Sequence, residues 1–290
     1  MYTTLIEPHE LAAQLGNPDW AILDCRFDLA RPAWGADSFR AGHIPGALHA
    51  DLDRDLSGPV TPATGRHPLP AMAALADTLG RFGIDAQVQV VAYDQGPGAY
   101  AARLWWLARW LGHRAVAVLN GGMAAWQRAG LSVSSADEQR APRRFVPQPA
   151  AERIVTSGEI AAWLASGALA RGAPLLVDAR SADRFAGANE TLDPVAGHVP
   201  GARNHWFARN HDADGRWLAP EELRRMWRAT LAGRDPATLI SMCGSGVTAC
   251  HNLLALEAAG LPGARLYPGS WSEWIRDPGH AVALGPESAR

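Results

Sequence analysis

Short unbroken apolar runs alternate along this chain with longer stretches in which apolar residues recur at helical spacing. Pro8 to Leu15 suits an opening helix, and Trp20 to Cys25 a buried strand that ends in Asp24-Cys25-Arg26. A loop is predicted next, reaching Ala41-Gly42-His43-Ile44-Pro45-Gly46-Ala47. Beyond it the pattern predicts a helix near Pro70 to Phe82, a strand from Val88 to Tyr93 and a helix from Ala99 to Leu111. A strand from Ala115 to Leu119 and a short helix from Met123 to Arg128 follow. Strands alternating with helices of this length imply an α/β fold, a parallel sheet with helices on both faces.

The second half repeats the first. Val177-Asp178-Ala179-Arg180 echoes Leu23-Asp24-Cys25-Arg26, and Ala196-Gly197-His198-Val199-Pro200-Gly201-Ala202 nearly duplicates the run from Ala41 to Ala47. Asp94 then stands in the place of Cys243, and Trp126 in that of Trp274, at nearly constant spacing. Two related domains are therefore expected, residues 1–133 and 154–290. The segment 134–153 between them, with its serines, arginines and prolines, has the composition of an exposed linker. Thr156 is placed to cap a helix from Ser157 to Ala165, with Glu159 completing a capping box.

Only one of the two halves carries a cysteine at a strand-to-helix turn. Thr238 to Met242 reads as a buried strand and Val247 to Ala259 as a helix closed by Gly260, so Cys243 falls on the turn between them. Gly244 and Gly246 let that turn curl, and the backbone N–H groups of residues 244 to 248, with the hydroxyls of Ser245 and Thr248, can point at the sulfur from the positive end of the helix. A cysteine so placed is a nucleophile rather than core filling. The matching loop of the first half, Asp94-Gln95-Gly96-Pro97-Gly98-Ala99, has a carboxylate at that position and a proline that lacks a donor. That half is read as structural or substrate-shaping.

Composition narrows the function. The 290 residues carry 27 Lys plus Arg against 29 Asp plus Glu, a formal net charge of −2, which points to no nucleic-acid or membrane-surface partner. The first residues have neither the basic start nor the apolar core of a signal peptide, and no stretch is long enough to span a bilayer, so a cytoplasmic location is expected. Three cysteines, at positions 25, 243 and 250, argue against a disulfide framework, and no Cys/His cluster has metal-ligand spacing. Neither a metal nor another cofactor is expected.

The repeated GH(I/V)PGA runs, the CGSGVTA loop and Gly269-Ser270-Trp271-Ser272-Glu273-Trp274 resemble the two-domain sulfurtransferases of the rhodanese family over nearly the whole chain. The loop is similar to that of the 3-mercaptopyruvate branch, whereas the thiosulfate branch typically carries two basic residues after its cysteine. The resemblance implies tandem rhodanese-like domains and a persulfide on Cys243, held by Gly244, Ser245, Gly246, Val247 and Thr248. Sulfur would come from a small-molecule donor and pass to a thiol, cyanide or thioredoxin-like acceptor. It also implies a substrate-binding role for Arg184 and proton transfer by His43. Glu190 to Val195 lacks the second arginine that many mercaptopyruvate enzymes carry. Thiosulfate as donor and a non-catalytic scaffold are the alternatives. A cysteine phosphatase would need an arginine where this chain has Ala249.

Overall fold

A computed structural model describes residues 1–149 and 154–286. The chain divides into two compact units, each assembled from pieces of both halves of the sequence. The first comprises Met1–Gly58, Leu69–Ala150 and His211–Trp217; the second comprises Pro59–Pro68, Ala151–Asn210 and Leu218–Arg290.

In the first unit the elements are β1 (Leu5–Ile6), α1 (Pro8–Ala12), β2 (Trp20–Asp24), α2 (Trp34–Ala41), β3 (Ala47–His49), α3 (Met72–Arg81), β4 (Gln89–Tyr93), α4 (Ala101–Trp110), β5 (Val116–Leu119) and α5 (Gly122–Arg128). Its five strands are parallel, in the order β1-β5-β4-β2-β3. The second unit contains α6 (Ser157–Ala165), β6 (Leu175–Asp178), α7 (Ala182–Ala186), β7 (Arg203–Asn204), α8 (Pro220–Leu231), β8 (Leu239–Met242), α9 (Thr248–Ala258), β9 (Arg265–Leu266) and α10 (Ser270–Trp274). Four parallel strands run in the order β7-β6-β8-β9, which repeats β3-β2-β4-β5. Parallel strands need crossover connections, and the helices supply them.

The α6 helix forms with the predicted bounds, because Thr156 accepts from the Glu159 N–H while the Glu159 carboxylate accepts from the Thr156 N–H. The predicted loop after β2 is corrected: it contains α2. That helix was not legible because its buried position is Gly35 rather than a large apolar residue. A Cβ at Gly35 would lie 2.1 Å from the Arg26 carbonyl oxygen, so α2 packs on the turn after β2 through a backbone contact, with Phe39 partly buried against the core. Residues 134–149 run along the first unit, with Ser134 and His43 exchanging both backbone bonds and the Gln148 N–H reaching Leu111 O. Residues 150–153, the end of the expected linker, lie outside the described residues.

The repeat extends to side-chain detail. Arg26 pairs with Asp24 at 2.6 Å and donates to Gly42 O at 2.7 Å; Arg180 pairs with Asp178 at 2.7 Å and donates to Gly197 O at 2.7 Å. Each buried aspartate thereby fixes the turn after its strand to the glycine of the repeated motif. The cores match as well: Trp126 closes one beside Val91, Tyr93 and Leu119, and Trp274 the other beside Ile240, Met242 and Trp271.

Candidate active site

Strand register defines the equivalent positions. Tyr93 is partnered with Asp24, and Met242 with Asp178, so the next residues, Asp94 and Cys243, emerge from their sheets at the same point. Cys243 is buried, and Gly246 donates its N–H to the sulfur at 3.1 Å. Gly246 has φ +77°, and a Cβ there would lie 2.2 Å from the Pro268 carbonyl oxygen, so the bend that aims this N–H demands glycine. Thr248 opens α9, and Val247 at the N-cap position supplies no side-chain cap, which sets the sulfur near the positive end of an eleven-residue helix.

The loop is gripped from behind by α10. The Cys243 N–H donates to Ser270 Oγ at 3.0 Å, the Trp271 N–H to Cys243 O at 2.9 Å and the Ser272 N–H to Gly244 O at 2.8 Å. Ser270 itself has φ +54°, a backbone conformation tolerated because its hydroxyl also donates to Tyr267 O at 2.9 Å. The Cys250 thiol donates to Gly246 O at 3.3 Å from one turn along α9, so this second cysteine braces the loop. Burial first, then Asp24 and Asp94, push the Cys25 thiol well above the ordinary range, leaving it a core residue. None of the three cysteines is in a disulfide.

Arg184, on α7, lies beside the loop. Its guanidinium donates to Glu190 at 2.8 Å and to Asp193 at 3.2 Å, and both carboxylates are nearly inaccessible. Burial opposes the Glu190 charge, but the Arg184 bonds and the N–H groups of Leu192 and Asp193 together hold its carboxyl below the usual range. Burial pushes the Asp193 carboxyl up, and a second arginine only partly offsets that. This second arginine is Arg66, which also pairs with Asp193. His67 follows it, its Nδ1 2.7 Å from Ser245 Oγ. The Arg66 N–H donates to Ser272 Oγ at 3.1 Å, which ties the segment 59–68 to the α10 turn.

The loop residues Gly244, Ser245, Gly246, Val247 and Thr248 follow Cys243 within the second unit, with Arg184 beside Gly244; the bond to the sulfur comes from the Gly246 N–H, while the Ser245 hydroxyl is paired with His67 instead. His43 belongs to the first unit. It is buried, its Nδ1 is 2.8 Å from Phe39 O, its ring stacks on Phe39 and its Nε2 lies 3.8 Å from Glu138. His198 is held the same way by Phe185, at 2.8 Å and in a stack. The two histidines share one architectural setting.

Arg66, His67 and Asp193 were missed in the sequence. Gly65-Arg66-His67-Pro68 lies between prolines with no periodicity, and its only signal was a basic pair that the helix and strand pattern did not absorb. Among the described residues no group of three or more His, Cys, Asp or Glu side chains is arranged to hold a metal ion, and no helix is long and apolar enough to cross a membrane.

Two parallel sheets of the same strand order, one of them carrying a cysteine on the turn after its β8 strand, define a tandem-repeat α/β class. The chain belongs to the rhodanese-like domain family, whose model matches residues 7–129 and 160–277. It is 50% identical over 283 residues to a Pseudomonas aeruginosa protein named "Probable 3-mercaptopyruvate sulfurtransferase", covering 97% of this chain and 98% of that one. It is 32% identical over 287 residues to the thiosulfate sulfurtransferase of Rattus norvegicus, covering 95% and 93%. Among solved structures, the 3-mercaptopyruvate sulfurtransferase from Leishmania major superposes with a TM-score of 0.82 at 33% identity, over 95% of this chain and 76% of that one.

Proposed function

We propose that this chain is a sulfurtransferase that takes sulfur from 3-mercaptopyruvate onto Cys243 and passes it to a thiol or cyanide acceptor. The observation that carries this reading is the Cys243 sulfur seated at the start of α9 with the Gly246 N–H aimed at it, beside the half-buried Arg184. In the first step the Cys243 thiolate attacks the donor sulfur; an S–S bond forms, the C–S bond breaks and its electron pair leaves as the enolate of pyruvate. The enolate takes up a proton, a role assigned in this reading to the Ser245 hydroxyl, which is hydrogen-bonded to His67. In the second step the acceptor attacks the outer sulfur, the S–S bond breaks and the Cys243 thiolate is restored. Between the steps the persulfide anion rests on the loop's N–H groups, as an oxyanion rests on preorganised donors.

Donor preference follows from charge. Gly244 and Ser245 offer no cation on the loop itself, so the two negative charges of thiosulfate meet mainly neutral donors, while the single carboxylate of mercaptopyruvate can be held by arginine. Three cysteines without a disulfide suit a reducing compartment, and we assign the protein to the cytoplasm. The role of His43 is structural in this reading, given the matching setting of His198. Cyanolysis with each donor is the test: mercaptopyruvate is expected to be better by about tenfold in kcat/KM, roughly 1.4 kcal/mol in the transition state. Mass spectrometry after donor treatment should place one extra sulfur on the Cys243 peptide. Faster turnover of thiosulfate at equal low concentration would reverse the donor assignment.

A further inference from the structure

We infer that Ser272, on α10, and Gly65, in the segment 59–68, are positioning residues that together seat His67 against Ser245 and so set the rate at which the enolate is protonated. The inference rests on the proton-transfer reading above and extends it to two residues that act through that pair. An enolate that takes up no proton can return its electron pair to the outer sulfur, re-forming the C–S bond and releasing the Cys243 thiolate. Slower protonation therefore lowers net persulfide formation.

Ser272 grips the residue before each member of the pair. Its backbone N–H donates to Gly244 O at 2.8 Å, and Gly244 precedes Ser245; its Oγ accepts from the Arg66 N–H at 3.1 Å, and Arg66 precedes His67. Ser245 Oγ and His67 Nδ1 then meet at 2.7 Å. One buried serine thereby sets the distance between two groups that lie 178 residues apart in the chain. Its own place is fixed, because the preceding Trp271 N–H ties α10 to Cys243 O at 2.9 Å.

Gly65 decides how closely the segment approaches. Residues 59–68 form neither helix nor strand, and Pro59, Pro62 and Pro68 keep them from pairing as one. They rest on the α10 region through three consecutive residues: Thr64 O accepts from Arg276 Nε at 3.3 Å, Gly65 packs on the turn that opens α10, and the Arg66 N–H reaches Ser272. A Cβ on Gly65 would lie 2.6 Å from Gly269 O and 2.7 Å from Ser272 Oγ, closer than carbon and oxygen come without a shift. Gly269 O cannot yield freely, since it accepts the first helical bond of α10 from the Glu273 N–H. A side chain at position 65 therefore lifts the segment, and His67 with it. Catalytic groups must be held within roughly 0.5 Å of the productive geometry, so a lift of that order uncouples the pair while the fold survives.

The test separates the two half-reactions in the full-length protein by rapid quench and mass spectrometry of the Cys243 peptide. Gly65→Ala should slow persulfide formation at saturating 3-mercaptopyruvate by about tenfold or more. Attack of cyanide on the preformed persulfide protonates no carbon, and its rate should stay within about twofold of wild type. Ser272→Ala is the milder change, deleting the acceptor of the Arg66 N–H and keeping the backbone bond to Gly244; it should slow the same step by about threefold to fivefold. A double-mutant cycle reads whether the loss runs through His67. His67→Gln should itself slow persulfide formation by about a hundredfold, and adding Gly65→Ala to it should cost less than about twofold more. An unchanged rate in Gly65→Ala, equal slowing of both half-reactions, or the full effect persisting beside His67→Gln would overturn the inference. Persulfide formation at the wild-type rate in His67→Gln would instead overturn the proton-transfer reading on which it rests.

Discussion

The loops after β4 and β8 begin at the same point of the same sheet and solve the same physical problem in opposite ways. Each leaves backbone N–H groups pointing inward at a helix start, a site made for negative charge. In the first unit the chain fills it permanently: the buried carboxylate of Asp94 accepts from the N–H groups of Gly96, Gly98 and Tyr100 at 3.0, 3.0 and 2.8 Å, and from Ala101 at 3.3 Å. Burial pushes the Asp94 carboxyl up, and these four bonds pull it back. In the second unit the group at that position is a sulfur atom, which one N–H meets at 3.1 Å, and the loop to the helix is two residues shorter, four between Cys243 and Thr248 against six between Asp94 and Ala101. The comparison teaches that the anion site itself belongs to the fold, whereas turnover needs a site that its own chain does not saturate.

Removing the sulfur attacks the contrast most directly. Cys243→Ser should lower cyanolysis by about a thousandfold or more, because an alcohol supplies almost no nucleophilic anion where a thiol does, while the fold is retained. Residual activity above that level, or sulfur carried by Cys25 or Cys250, would mean that the comparison has chosen the wrong group.

Removing the carboxylate tests the other side. Asp94→Ala leaves buried N–H groups without their acceptor and should cost about 3 kcal/mol of stability, read by chemical denaturation, with kcat of the folded protein changed by less than about threefold. Loss of activity without loss of stability would show that the first loop takes part in turnover.

A pH-dependent effect separates the units as well. After β7 the second unit carries His205 where the first carries Ala50, each donating its backbone N–H to the aspartate carbonyl of its unit, Asp178 or Asp24. Burial, with Arg209 nearby, lowers the His205 pKa from 6.5 to about 3. As pH falls, the unfolded chain takes up this proton before the folded one does. Its contribution to stability is thus complete above pH 6.5 and lost progressively toward pH 3, by up to about 1.4 kcal/mol per pH unit. His205→Phe, which keeps an aromatic ring against Trp227, should flatten this part of the pH profile in thermal melts. An unchanged slope would remove His205 from the account.

Much of the local architecture was legible before folding is considered. The capping box at Thr156 and Glu159 acts through neighbours three residues apart, and the helix forms where expected. The Asp-x-Arg turns and GH(I/V)PGA runs were visible because they occur twice, and duplication itself marks a shared structural requirement. The Cys243 turn was legible for a local reason too, since glycines beside a cysteine between an apolar run and a helix define the geometry of the loop. By contrast α2 was hidden because its buried position is Gly35 against a carbonyl oxygen, and Phe39 on the core is too little to mark a helical repeat.

The sequence by itself determined two related α/β domains and a single cysteine loop, because turn chemistry and helix starts depend on residues close together in the chain; Arg184 entered only through the family resemblance. Only the tertiary structure decided that residues 59–68 join the second unit and residues 211–217 the first. Arg66 and His67 reach the loop by that exchange, across 177 residues of sequence in the case of Arg66 and Cys243. The physical reason is that an ion pair such as Arg66 with Asp193 requires proximity and a shared low-dielectric setting, which hydrophobic spacing along the chain does not encode.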